Sequence, residues 1–148
     1  MTYTFYIVDE SQMPSEDATG TPAATPEAIT ALIRETGGMW AAVDADVDEY
    51  LALWETLDRF IGNEGFLQEI AFGGSPHLLL TGYPGRWRLG YFEASLCQHL
   101  LGAFRLQSAE IEEAMKGSSE ATKNLYAAFF SALEDANDRN FAVAILHP

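Results

Sequence analysis

The chain has little positive charge and almost no cysteine. Of its 148 residues only 8 are Lys or Arg, against 22 Asp or Glu, and the formal net charge is −14. Such a chain is repelled by phosphate backbones and by anionic membrane surfaces, which argues against nucleic-acid and membrane partners. One cysteine, Cys97, excludes an internal disulfide and suits a reduced, cytoplasmic setting. No run approaches the roughly 20 apolar residues of a membrane-spanning helix. The opening stretch MTYTFYIVDE has no basic region ahead of an apolar one, so it does not read as a secretory signal. Neither CxxC nor HxxxH spacing occurs, and there is no Gly-rich phosphate loop or nucleophile elbow, so no metal or cofactor is expected.

What is present is a core and an uneven charge. Hydrophobic residues make up 48%, with 9 Phe, 6 Tyr and 3 Trp, enough for one packed globular domain over residues 1–148. Residues 1–74 carry fourteen acids against Arg34 and Arg59, a net of −12. Residues 75–109 carry Glu93 against Arg86, Arg88 and Arg105, a net of +2. Residues 110–148 return to −4.

Thr4 to Val8 is β-branched and aromatic and reads as a strand. Asp9 to Thr25 is polar and broken by Pro14, Gly20 and Pro22, and reads as a long mobile loop. Thr25-Pro26-Glu27 has the chemistry of a helix start, with Gly37-Gly38 as its stop. Met39 to Val43 is a short apolar segment suited to a buried strand or a lead-in. The strongest helical stripe is Val47, Tyr50, Leu51, Trp54, Leu57 and Ile61. A further helical turn or two is expected over Glu64 to Phe72, and His77 to Thr81 reads as a strand. Arg86 to Leu89 has the makings of a hairpin partner for it. Tyr91 to Phe104 reads as a helix with Leu96, Leu100 and Phe104 inward. Ser108 then caps a short helix, and Ser118 or Ser119 a longer one burying Leu125, Phe129, Leu133 and Ala136. Phe141 to His147 closes the chain as a strand. The expected class is α+β: a small mixed or antiparallel sheet with both terminal strands, packed by about five or six helices.

The closing stretch LYAAFFSALEDANDRNFAVAILH combines an amphipathic helix, a polar turn containing Asn and an apolar strand. With the aromatic strand of residues 3–8, it resembles the two ends of the YfbM-like family of uncharacterised proteins. The resemblance covers the ends alone and implies a fold, not a reaction.

Three constellations bear on function. Asp44, Asp46, Asp48 and Glu55 fall at positions 1, 3, 5 and 12 of a 12-residue window, as in an EF-hand loop. Position 6 is Glu49 where the turn needs Gly, and the window overlaps the strongest helical stripe. The acids therefore read as a helix N-terminus favoured by the dipole. Cys97 sits in an apolar helical pattern and reads as a small buried hydrophobe. The turn Gly82 to Arg88 places Arg86, Trp87 and Arg88 beside Tyr83, a set able to fork onto a carboxylate or stack on a flat ligand.

The leading expectation is a small acidic binding or interaction protein of the immunity or inhibitor kind, without catalysis and so not an enzyme. Asp44, Asp46, Asp48, Glu49 and Glu55 would face a basic surface on a protein partner. The alternative is a small-ligand or enzyme pocket built from His77, Tyr83, Arg86, Trp87, Arg88 and His99. A homo-oligomer joined through aromatic surface is the third.

Overall fold

The computed structural model describes residues 1–13, 25–62, 64–73 and 88–148, with Pro26 described by its backbone alone. Four strands are found there: β1 (Thr2–Val8), β2 (Gly38–Asp44), β3 (Leu89–Phe92) and β4 (Ala142–Leu146). They form one antiparallel sheet in the order β2-β1-β4-β3, so both terminal strands lie at its centre. Six α-helices accompany them among the described residues: α1 (Pro26–Thr36), α2 (Val47–Asp58), α3 (Phe66–Ala71), α4 (Ala94–Leu106), α5 (Ser108–Met115) and α6 (Glu120–Arg139). The expected α+β class is what the chain adopts.

Alternation along the strands sorts side chains onto two faces. Tyr3, Phe5 and Ile7 of β1, Phe92 of β3 and Val143 and Ile145 of β4 pack against α2, α4 and α6. Val8, Leu89, Tyr91, Ala142, Ala144 and Leu146 face the other way, with Ile29 and Ile33 of α1 and with Met13. Being central and covered on both faces, β4 is buried at every residue, which is why its sequence, AVAIL, does not alternate. The larger face is stitched by rings. Trp54 lies 5.3 Å from Phe92 and 4.9 Å from Phe129, centroid to centroid. Among the described residues its buried indole N–H has no acceptor in hydrogen-bond geometry, a cost of about 1–3 kcal/mol set against that aromatic packing.

The helix boundaries follow local chemistry. Thr25 Oγ1 accepts from the Ala28 N–H, Pro26 stands at the first helical position, and the Gly37 N–H bonds the Ile33 carbonyl. Asp46 and Glu49 form a reciprocal capping box at the start of α2. Ser119 caps α6, and Asn140, at φ 58°, ends it in the left-handed conformation that Asn tolerates. Leu125, Phe129, Leu133 and Ala136 are buried as expected.

Several expectations are corrected. Tyr91 and Phe92 belong to β3, opposite Ala144 and Val143, and the helix begins only at Ala94. A distant residue sets that boundary: Glu10 Oε1 accepts from the Ala94 N–H at 2.8 Å, and its Oε2 takes the Tyr91 hydroxyl. Glu10 belongs to a short 3₁₀ turn, Glu10–Gln12, inside the stretch expected to be loop. Residues 14–24 of that stretch, and the strand expected at His77 to Thr81, lie outside the described residues. Ser108 is the first residue of α5 and not its cap. Met39 to Val43 is a strand, but an edge strand: Met39 and Trp40 are exposed, and a bulge at Trp40 interrupts its register with β1. No helix among the described residues is long and apolar enough to cross a membrane.

Candidate functional site

Helix α2 carries more apolar surface than the core takes up. The buried face comprises Tyr50, Leu53, Trp54 and Leu57. Val47 and Leu51, expected in the core stripe, fall outside it: Val47 is 50% exposed and Leu51 half-buried. With Glu55 they repeat every fourth residue along the side of α2 that faces α3, since positions i and i+4 stack on one face of a helix. The stripe spans two turns, about 12 Å at 1.5 Å per residue.

Between α2 and α3 this stripe lines an open trough of two adjoining hollows. One, of about 510 Å³, is lined by Val47, Leu51, Gly65, Gln68, Glu69 and Phe72. The other, of about 620 Å³, is lined by Glu55, Asp58, Arg59, Gly62, Glu64, Gly65 and Gln68. Gly65 and Gln68 belong to both. One end is therefore largely apolar, with Glu69 its one carboxylate, and the other sets three carboxylates against one guanidinium.

The α3 wall is short, only six residues, and cannot hold itself as a helix. It is pinned at both ends. At its start the buried Asp58 carboxylate accepts from the Leu67 N–H at 2.7 Å and from the Gln68 N–H at 3.4 Å, where the helix leaves its donors unpaired. At its end the Ala71 carbonyl accepts from the Tyr50 hydroxyl at 2.9 Å and from His147 Nε2 at 2.8 Å. A carbonyl cannot donate, so Nε2 carries a proton, and in the neutral ring Nδ1 is the bare nitrogen. Tyr3 stacks on Tyr50 at 4.0 Å and 5°, and the His147 ring lies edge-on to Tyr3, Tyr50 and Phe72. Burial holds the His147 pKa below its ordinary value; the hydrogen bond to Ala71 opposes this, and Arg88 adds to it. Burial likewise raises the Tyr50 hydroxyl well above its usual range.

The acids expected to meet a partner divide by use. Asp44 takes the Thr2 hydroxyl at 2.6 Å. Asp46 caps α2. Glu49 closes the capping box through Oε1 and takes the Ser119 hydroxyl through Oε2 at 2.6 Å, tying the starts of α2 and α6 together. Asp48 is exposed in the first turn of α2, and Glu55 is exposed on the trough. The EF-hand window becomes helix at Val47. Among the described residues no three His, Cys, Asp or Glu side chains are grouped to hold a metal ion.

Of the alternative pocket, His77, Tyr83, Arg86 and Trp87 lie outside the described residues. Arg88 is exposed, and its guanidinium donates to the Pro148 carbonyl oxygen. His99 is exposed on α4, and no hydrogen bond or ion pair joins it to Arg88. Cys97 is fully buried, its thiol on the Phe92 carbonyl, and burial pushes its pKa up to about 12, which leaves no thiolate for nucleophilic work. His147 was legible only as the end of a strand; its ring contacts come from three distant segments. The trough had a faint signal, a stripe on α2 wider than one core contact uses, whereas Glu64 and Gln68 had none.

No family model matches the chain, and no curated protein or solved structure is significantly similar to it. Fold and site together define an α+β domain with an acidic, half-apolar trough beside its sheet.

Proposed function

We propose that this protein is a non-catalytic binding protein of the cytoplasm that holds a basic surface of a partner protein against α2. An immunity or inhibitor role would use such a surface. The observation that supports this best is the trough between α2 and α3, where exposed apolar side chains adjoin Glu55 and Glu64. Interfaces that last combine an apolar centre with a polar rim, and opposite charge speeds encounter and fixes orientation. The net charge of −14 extends that pull beyond the contact itself and repels nucleic acid. The buried, unreactive Cys97 fits a reduced compartment.

The test is a partner recovered on immobilised protein, purified, and titrated back calorimetrically. Affinity is expected to fall steeply between roughly 0.05 M and 0.5 M salt, where the Debye length shrinks severalfold. Charge reversal at Asp48 and Glu55 is expected to weaken binding, and reversal at Glu112 and Glu113 of α5 to leave it unchanged. A partner whose affinity ignores salt, or responds equally to both reversals, would refute the reading.

A further inference from the structure

The trough has two chemically different ends a fixed distance apart, and that spacing restricts what fits it. We infer, building on the binding role above, that its occupant is a cationic amphipathic helix of the partner protein. An apolar side chain of that helix enters the hollow at Val47, Leu51 and Phe72. An Arg two turns away reaches Glu55 and Glu64.

The backbone chemistry of the long walls disfavours an extended peptide. Those walls are the helices α2 and α3, bonded along their own backbones, and α3 is pinned by Asp58, Tyr50 and His147, while the turn residues Gly62, Glu64 and Gly65 line the acidic hollow. Helical walls offer chiefly side chains. An extended segment buried there would leave its own backbone groups unpaired, whereas a helix brings them satisfied. The Val47-Leu51-Glu55 stripe spans about 12 Å, the separation of residues seven or eight apart on a facing helix.

Charge selects the cation and rejects a second copy of the chain. Glu55 and Glu64 are exposed, and Asp58 is already committed to Leu67 and Gln68. Arg59 supplies one positive group at this end, so the hollow keeps an acidic excess. A planar guanidinium forks onto carboxylates better than an ammonium does, which favours Arg over Lys. At a net charge of −14, a second copy of the chain would approach this hollow with like charge.

Two fluorescent helical peptides of the same composition, each of about 18 residues so that helix formation is not marginal, test the inference by anisotropy. One places Leu and Arg seven apart, and the other three apart. The first is expected to bind roughly tenfold more tightly, the size of burying one aliphatic side chain. Val47→Asp, at an exposed first-turn position where Asp suits the helix, is expected to abolish that preference and leave a weak salt-sensitive association. Glu55→Lys with Glu64→Lys is expected to weaken both peptides. Equal, salt-sensitive binding of the two peptides to the wild-type protein would overturn the helix-in-trough inference and leave the acidic-surface reading standing. No salt-sensitive binding of either would overturn both.

Discussion

Tyr50 and His147 converge on one acceptor, the carbonyl oxygen of Ala71, from α2 and from the residue after β4, at 2.9 and 2.8 Å. That oxygen is the last carbonyl of α3, which the helix itself leaves unpaired. Losing either donor leaves the oxygen satisfied by the other, so each of Tyr50→Phe and His147→Phe should cost about 1 kcal/mol. The double variant strands a buried acceptor and should cost about 1 kcal/mol more than the sum, a coupling that urea denaturation of all four proteins measures. Strict additivity would mean that the two bonds do not share the load at Ala71.

The same histidine gives stability a pH dependence of known sign. Burial lowers its folded pKa below the unfolded value of roughly 6.5. In the window between the two values the unfolded chain binds the extra proton. The contribution of neutral His147 is therefore complete above pH ~6.5 and is lost as pH falls through that value toward the folded pKa. The urea midpoint should drop between about pH 7.5 and about pH 5.5, and His147→Phe should flatten that part of the profile. Arg88 is the charged group acting on the ring from the β3 side, so Arg88→Gln should raise the pKa read by NMR titration.

Asp58 is a buried carboxylate whose hydrogen bonds go to backbone at the start of α3. Asp58→Ala leaves the buried Leu67 N–H without an acceptor and should cost about 1–3 kcal/mol. Asp58→Asn keeps one acceptor oxygen and should cost less. Hydrogen exchange at the Leu67 amide should accelerate more in the alanine variant, and exchange in β4 should change only with global stability.

Gly90 faces the opposite end of the same helix. A Cβ placed there would lie 3.1 Å from both the Cα and the carbonyl oxygen of Ala71, backbone atoms with nowhere to rotate. Gly90→Ala should therefore cost about 1–3 kcal/mol by forcing β3 and α3 apart. Gly102, exposed on helix α4, has open space around it, and Gly102→Ala should stabilise by up to about 1 kcal/mol. Thermal melts of the two variants, expected to move in opposite directions, check the pair.

Local chemistry made much of the fold legible. Thr25-Pro26, Gly37 and Ser119 mark helix ends because capping involves neighbours in the chain. The terminal strands were legible from β-branched and apolar runs. The start of α4 was not, because its cap is Glu10, eighty-four positions away. Periodicity on α2 identified a helix but merged two faces, counting Val47 and Leu51 with the core and missing Leu53. A stripe read along a sequence carries no information about how many neighbours exist to cover it.

The α+β class, the caps of α1 and α6, the acidic balance and the inertness expected of Cys97 follow from residue type and near neighbours in the chain. Tertiary packing settled which apolar stripe of α2 enters the core and which lines a trough. It also decided that His147 closes on Ala71. These depend on strand order and on contacts across the chain: bringing β1 and β4 side by side at the centre of the sheet is what sets Tyr3, Tyr50 and His147 against one helix end.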